Sequence, residues 1–375
     1  MTDPLQQLRA QVEQINFDVL KLLSQRAELV KEIQTIKDEH GIPTFNPERE
    51  ARMLSRLIER NEGPFSNETI CHLFKEVFRA SVELMSKQGA EVLMVSRAKR
   101  AEDLHFELGD VLFGADPVII AGPCSIEDAE QMDAVGRSLS ARGVGVLRGG
   151  AFKPRSSPYA FQGLGVEGLR LLKETGDRYG MVTITEVMDP RNVELVAQYS
   201  DILQIGSRNM YNYDLLREVG QTSAPVLLKR GLSATLKELL WSAEYIMMGG
   251  NERVMLCERG IRTYAEETRH TLDISAVPLL RQMTFLPVFV DVSHAAGRRD
   301  ILIPLAKAAI AAGANGLMIE VHPCPAIALS DSQQQLDLEQ FGLFLDALKL
   351  DDLKGGMHPR TQEDALVAQP SPELS

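Results

Sequence analysis

Two hydrophobic rhythms divide this chain. From Leu5 the apolar positions Leu8, Val12, Ile15, Val19, Leu22, Leu29, Ile33 and Ile36 follow at steps built from three and four, the spacing of a long helix with a coiled-coil-like seam. Asp3-Pro4 offers an N-cap with proline at the first helical position, and Gly41-Ile42-Pro43 stops the helix. A second helix is predicted over about 47–61, from Pro47 to Gly63-Pro64. A third starts near Ser66, where Ser-Asn-Glu-Thr supplies capping side chains, and runs to about 87. Three helices, the first of about 35 residues, cannot bury such a seam alone, so a partner chain is expected.

The second rhythm is shorter. Between 117 and 350, β-branched runs alternate with helical patterns at intervals of about 20–37 residues, which argues for βα units around a parallel sheet. The runs are VIIAGPCS (118–125), VGVLRGG (144–150), MVTITEV (181–187), DILQIGSR (201–208), PVLLKRG (225–231), RVMLCERG (253–260), PVFVDVSH (287–294) and GLMIEVH (316–322). They close on Cys124, Arg148, Glu186, Arg208, Lys229, Arg259, His294 and Glu320. A functional side chain at the carboxyl end of every apolar strand makes one charged mouth over an apolar support, as a parallel barrel does. An open doubly wound sheet competes, but it has no reason to place such groups after every strand. The expected domains are a helical unit over 1–88, a connector over 89–116, a barrel over 117–350 and a disordered polar tail over 351–375. Within the connector, LHFELGDVLFG (104–114) has the Gly-Asp pair of a hairpin, suited to covering the barrel's bottom.

Composition narrows the partners. The 375 residues carry a net charge of −12, with 44% hydrophobic and 25% charged residues. Such a surface repels nucleic acid and anionic membranes, so any basic cluster is local and suits a small anion. No run approaches the roughly 20 apolar residues of a membrane span. The start MTDPLQQLRAQVEQ lacks the features of a signal peptide, and a cytoplasmic location is the default expectation. Cys71, Cys124, Cys257 and Cys324 are too few and scattered for a disulfide framework.

Two kinds of residue collect at the mouth. Arg148, Lys153, Arg155, Arg208, Lys229 and Arg259 are cations that repel one another unless anions neutralise them, and arginine forks suit phosphate and carboxylate oxygens. Taken singly, each could pair with a surface carboxylate; random surface charge would not track strand ends. Cys124, His294, Glu320 and Asp331 form a mixed soft and hard donor set, suited to Mn²⁺, Fe²⁺, Co²⁺ or Zn²⁺ better than Mg²⁺ or Ca²⁺. Each also has a plainer reading: a buried thiol, an interior imidazole, and for Asp331 a cap on the last helix.

The blocks GPCSIE (122–127), RGGAFKPRSSP (148–158), FQGLGVEGL (161–169), QIGSRNM (204–210), LLKRG (227–231), CERGIRTY (257–264), DVSHAAGRR (291–299) and EVHPCPAIALSD (320–331) resemble the 3-deoxy-7-phosphoheptulonate (DAHP) synthases of type I-beta. The resemblance covers about residues 89–350. It implies an α/β fold, a (β/α)8 TIM barrel, that condenses phosphoenolpyruvate with erythrose 4-phosphate at the entry to aromatic amino-acid synthesis. It further implies a divalent metal, Mn²⁺ first, on Cys124, His294, Glu320 and Asp331. Phosphoenolpyruvate would meet Arg148, Lys153, Arg208, Lys229 and Arg259, and erythrose 4-phosphate would meet Arg155 and Ser156. Lys153, His294 and Cys124 stand at the reacting centre, and Glu186 is the candidate for steering protons or water. The 3-deoxy-octulosonate 8-phosphate synthases share the barrel but resemble Lys-Ala-Asn-Arg-Ser where this chain has Lys153-Pro154-Arg155-Ser156, which favours the four-carbon sugar. A catalytically dead anion-binding regulator is the alternative of another class.

On the first helix, Arg26 and Lys37 lie about 20° apart and Arg9 about 100° from Arg26, at ~100° per residue. Arg26 occupies the seam, where a charge is expensive unless an anion meets it; a polar residue setting coiled-coil register is the plainer reading. Residues 4–88 resemble the all-helical chorismate mutases, whose polar pattern falls on Arg9, Arg26, Lys37, Arg49, Glu50 and Ser81. Asn46 and Met85 depart from it, and methionine cannot donate the hydrogen bond expected one turn after Ser81. The resemblance implies an all-α domain binding chorismate or prephenate, either as a working mutase or as a feedback sensor, within a homo-oligomer (dimer or tetramer).

Overall fold

The three-four seam folds as one unbroken helix, α1 (Pro4–Glu39), followed by α2 (Pro47–Glu59) and α3 (Asn67–Gln88). The computed structural model describes residues 4–40, 47–88, 92–154, 157 and 159–349, with side chains at all of these except 38–39, 47–48 and 82–88. Asp3, the Gly41–Pro43 stop and the tail 351–375 therefore lie outside the described residues. The chain divides into two units, Met1–Val92 and Leu93–Ser375.

In the first unit, the Ser66 Oγ accepts the Thr69 N–H at 3.2 Å and caps α3, which packs against both α1 and α2. Among the described residues of this unit, only Gln34 and Ser81 are buried. The α1 seam stays open in the single chain: Leu8, Ile15 and Leu22 are 60%, 58% and 64% exposed. Covering each such side chain would contribute about 1.5–3 kcal/mol.

The second unit begins with a hairpin, β1 (Phe106–Leu108) and β2 (Val111–Phe113), in which Phe106 faces Phe113. All eight apolar runs then become strands: β3 (Val118–Gly122), β4 (Val146–Arg148), β5 (Val182–Glu186), β6 (Ile202–Ile205), β7 (Val226–Lys229), β8 (Val254–Glu258), β9 (Val288–Asp291) and β10 (Gly316–Glu320). Neighbours pair in parallel in chain order, and β10 returns to β3 with Gly316 beside Val118, closing the barrel. Outside it run α4 (Ala129–Ser140), α5 (Val166–Tyr179), α6 (Val193–Tyr199), α7 (Tyr213–Gly220), α8 (Leu236–Met248), α9 (Ala276–Met283), α10 (Val292–Ala296), α11 (Leu302–Ala311) and α12 (Leu338–Leu348). No helix among the described residues is long and apolar enough to cross a membrane.

Strand alternation sorts the core into two layers. Ile120, Val146, Ile184, Leu227, Met255, Phe289 and Met318 fill the barrel interior, while Ile119, Leu147, Leu203, Leu228, Leu256 and Leu317 meet the helices. The hairpin plugs the interior from below: Phe113 is fully buried, with ring centroids 5.2 Å from Phe106 and 6.3 Å from Phe289. Truncating it to alanine would cost about 3–5 kcal/mol. The cap of α12 is Asp337, whose side chain accepts from the backbone of Glu339 and Gln340, so Asp331 is released from that role.

Candidate active site

The carboxyl ends of the strands bring the sulfur, nitrogen and two carboxylates together. The donor atoms of Cys124, His294, Glu320 and Asp331 all lie within 4.8 Å of one another. Two donors on opposite sides of one ion lie up to about 4.6 Å apart, so the set stands at the outer limit of a single coordination sphere and needs only a slight closing to share an ion. Glu320 ends β10, whereas Cys124 follows β3 by two residues and His294 sits in α10 just past β9. Gly122 makes the first turn possible: its φ is +145° and a Cβ there would stand 2.0 Å from the Arg148 carbonyl oxygen. Asp331 holds a left-handed backbone, φ 51°, rare for a side-chain-bearing residue. Arg269 grips its Oδ1 at 3.1 Å.

Electrostatics prepare this cluster for a cation. Burial pushes the Cys124 thiol up to about 12, and the charge of Glu320 adds to the effect. The thiol therefore keeps its proton and donates it to Asp331 Oδ2 at 3.2 Å. Burial lowers His294 below the ordinary histidine value, leaving a neutral imidazole suited to ligation. Burial acts upward on both carboxyls, but nearby charge outweighs it. In the acid range where these carboxyls titrate, a protonated His294 together with Arg148 holds Glu320 below its usual range, and together with Arg269 holds Asp331 down. Two ionised carboxylates, a neutral imidazole and a thiol that a cation can deprotonate fit a transition-series ion.

Beside the cluster opens a cavity of about 230 Å³, lined by Arg148, Lys153, Arg208, Lys229 and Arg259, with Glu186 on its wall. The cations are set by different elements. Arg148 and Lys229 end β4 and β7, Arg259 follows β8, Arg208 lies in a 3-10 turn after β6, and Lys153 hangs from the loop after β4. Several are already engaged with the donor cluster. Arg148 pairs with Glu320 at 2.9 Å, and Lys153 Nζ donates to the Cys124 carbonyl at 2.8 Å and lies 3.1 Å from its sulfur. Arg259 Nη1 is buried with no hydrogen-bond partner, an orphan cationic donor beside an open space. Glu186 is admitted by Gly206, where a Cβ would sit 2.0 Å from Glu186 Oε1. Arg155 and Ser156 lie outside the described residues.

Three residues that sequence reading missed complete the site. Asp291, the last residue of β9, is fully buried and accepts from the His294 backbone N–H at 2.9 Å, His294 Nδ1 at 2.8 Å and Lys229 Nζ at 2.5 Å. Its place three residues before a candidate histidine ligand was a usable signal, since such carboxylates orient the ring. Arg269 and His270 come from the long loop after β8 and line the same cavity. Burial, then the charge of Arg259, lower His270 to about 4, so it enters the site neutral. No spacing in the sequence marks either one.

In the helical unit, Arg26 and Ser81 meet: Arg26 Nη1 donates to Ser81 Oγ, and its guanidinium lies 5.4 Å from the centre of the Phe78 ring. Arg9 does not join them. Seventeen residues along α1, at 1.5 Å each, place it about 25 Å away. Lys37 is half-buried at the far end of α1, and Arg49 and Glu50 open α2. Asn46 and the side chain of Met85 lie outside the described set.

Comparison with known proteins matches the same two units. Residues 90–354 match the DAHP synthetase I family and residues 8–86 match chorismate mutase type II. A phospho-2-dehydro-3-deoxyheptonate aldolase of Thermotoga maritima is 52% identical over 257 residues, covering 68% of this chain and 76% of the relative. A 2-dehydro-3-deoxyphosphooctonate aldolase of Syntrophotalea carbinolica is more distant, 32% identical over 62% of this chain and 91% of its own. The crystal structure of DAHP synthase from Thermotoga maritima superposes with a TM-score of 0.67 at 50% identity, covering 73% of this chain and 77% of that one. Its truncated form gives 0.64 at 47% identity, over 73% and 97%. On the closed barrel, its strand-end site and these likenesses, the chain belongs to the DAHP synthetase I family and carries an N-terminal chorismate mutase type II domain.

Proposed function

We propose that the barrel, residues 117–350, condenses phosphoenolpyruvate with erythrose 4-phosphate and depends on a divalent ion held by Cys124, His294, Glu320 and Asp331. The observation that carries this reading is the convergence of those four donors on the edge of a cavity walled by six cations, Arg269 among them. Phosphoenolpyruvate bears a phosphate and a carboxylate, and fixed guanidinium and ammonium groups bind both without reorganising. Arg259, with its orphaned Nη1, and Arg208 and Lys229 offer a cradle for one anionic group; Arg148 and Lys153, turned towards Cys124 and Glu320, orient the other. When bound, a divalent ion supplies Lewis acidity towards the aldehyde oxygen of the sugar. Holding C3 of the enol ether against that aldehyde is worth about 7–11 kcal/mol in favourable cases. Glu186, which lines the cavity with Lys153, holds the water that attacks C2 once C3 has bonded to the aldehyde carbon, and takes its proton; the C2–O bond to phosphate then breaks and phosphate leaves. Arg155 and Ser156 receive the sugar phosphate.

Mn²⁺ suits the donor set first, with Fe²⁺, Co²⁺ and Zn²⁺ as candidates. The test is protein stripped by chelator, restored with each ion singly and assayed with phosphoenolpyruvate and either erythrose 4-phosphate or arabinose 5-phosphate. Turnover should return only with an ion and favour the tetrose; preference for the pentose overturns the assignment.

For residues 1–88 we propose a chorismate or prephenate site centred on Arg26 and Ser81, with Lys37, Arg49 and Glu50 from the same chain. Arg9, too far along α1 for this pocket, serves the pocket of a second chain paired through the open seam. The protein is therefore read as a cytoplasmic homo-oligomer, at least a dimer. Chorismate turnover by the intact protein marks a working mutase; its absence, together with prephenate inhibition of the barrel, marks a sensor.

A further inference from the structure

We propose that Asp291 is a positioning residue that couples the metal site to the anion cradle, so that occupancy of one strengthens the other. The inference rests on the reading above that the four donors hold an ion and that Lys229 meets phosphoenolpyruvate.

Asp291 is fully buried, and its two oxygens receive three donors. Oδ1 takes the His294 backbone N–H at 2.9 Å, fixing the turn that carries the ligand. Oδ2 takes both Lys229 Nζ at 2.5 Å and His294 Nδ1 at 2.8 Å. One oxygen thus serves a metal ligand and a substrate cation together, and charge given to one donor is withheld from the other. For His294 to bind an ion through Nε2, its proton must stay on Nδ1, and a stronger acceptor there makes Nε2 a better ligand. An anionic substrate draws Lys229 away from Asp291. The carboxylate then acts more fully on His294, and the ion is held more tightly. Linkage requires the reverse as well: the ion raises affinity for the anion by the same factor. An asparagine of the same shape cannot do this, because its amide nitrogen would face one of the three donors.

The test measures the Mn²⁺ dissociation constant of the full chain from the electron paramagnetic resonance signal of free ion. The proteins are wild type, Asp291→Asn, Lys229→Met and the double variant. Asp291→Asn should weaken Mn²⁺ by roughly 10–100-fold. Lys229 is no ligand, yet Lys229→Met should tighten Mn²⁺ about fivefold in the native background and have little effect in the Asp291→Asn background. Plain charge repulsion between Lys229 and the ion predicts equal tightening in both backgrounds, and that result overturns the proposal. Should Asp291→Asn fail to fold, saturating phosphoenolpyruvate gives a second measurement. It should tighten Mn²⁺ in wild type and do so far less in Lys229→Met; an equal effect in both sinks the coupling. A wild type that takes no Mn²⁺ overturns the metal reading itself, and is thereby told apart from a flat cycle.

Discussion

The two units of this chain solve opposite problems. The barrel buries its apolar residues within one chain: Ile120, Phe289 and Met318 are wholly inaccessible, and the hairpin ring of Phe113 closes the bottom. The helical unit buries almost nothing apolar among its described residues and leaves Leu8, Ile15 and Leu22 more than half exposed. The polar sites follow the same division. Donors contributed by the turn after β3, by α10 after β9, by β10 and by the loop before α12 converge at the mouth of the barrel, while Arg9 and Arg26 are kept about 25 Å apart by the rigidity of α1. A closed sheet can focus residues distant in sequence on one point; a single long helix spreads its residues along a line and needs a second line to make a pocket.

The contrast breaks first at the proposed metal ligands. His294→Ala should lower condensation by about 10³-fold or more, while leaving self-association and chorismate binding unchanged. Assays of both activities with a sedimentation run check this, and loss of the oligomer would show that the units are not independent in this respect. Next in size, Leu8→Lys with Ile15→Lys should weaken self-association by about 10²-fold or more, since unpaired charges in an apolar seam are costly. Chorismate binding should fall with it, and the metal affinity of the barrel should hold. A variant that sediments as wild type would remove the seam from the interface.

A smaller effect concerns pH. The Cys124 thiol, pushed up to about 12, must lose its proton to ligate an ion. Asp291, Glu320 and Asp331 lie below the usual carboxylate range and are already ionised at neutrality. Protonation therefore competes with metal through the thiol, and affinity should rise about tenfold per unit between roughly pH 6.5 and 8. Calorimetry in buffers of different ionisation enthalpy should show about one proton released, and Cys124→Ser should remove most of the slope. The smallest expected change is Ser81→Ala, which loses one hydrogen bond to Arg26 but keeps the Phe78 ring beneath it. Chorismate affinity should drop about fivefold, in line with roughly 1 kcal/mol for such a bond. Titration by calorimetry reads it.

Much of the barrel was legible because buried parallel strands are continuous apolar runs and each ends where chemistry is wanted. Finer placement was not. Cys124, Arg208, Arg259 and His294 stand one to three residues beyond their strands, because a run of letters does not show where a ladder stops pairing. Asp331 read equally well as a ligand and as a helix cap until Asp337 was seen to cap α12. Arg269 and His270 were invisible: they reach the site through a long loop held by backbone bonds to Ala295 and Ala296, and no periodicity records such a path. Asp291 was hidden in plain view, as one more polar letter in a β-branched run.

The burial of Cys124 has a chemical consequence besides ligation. A thiol that is wholly inaccessible and holds its proton near neutrality is a poor nucleophile, slow to be alkylated and slow to be oxidised to sulfenic acid. Without an ion on the four candidate donors, the protein thus keeps its sulfur in an unreactive form, protected from the peroxide that a bare thiolate would invite.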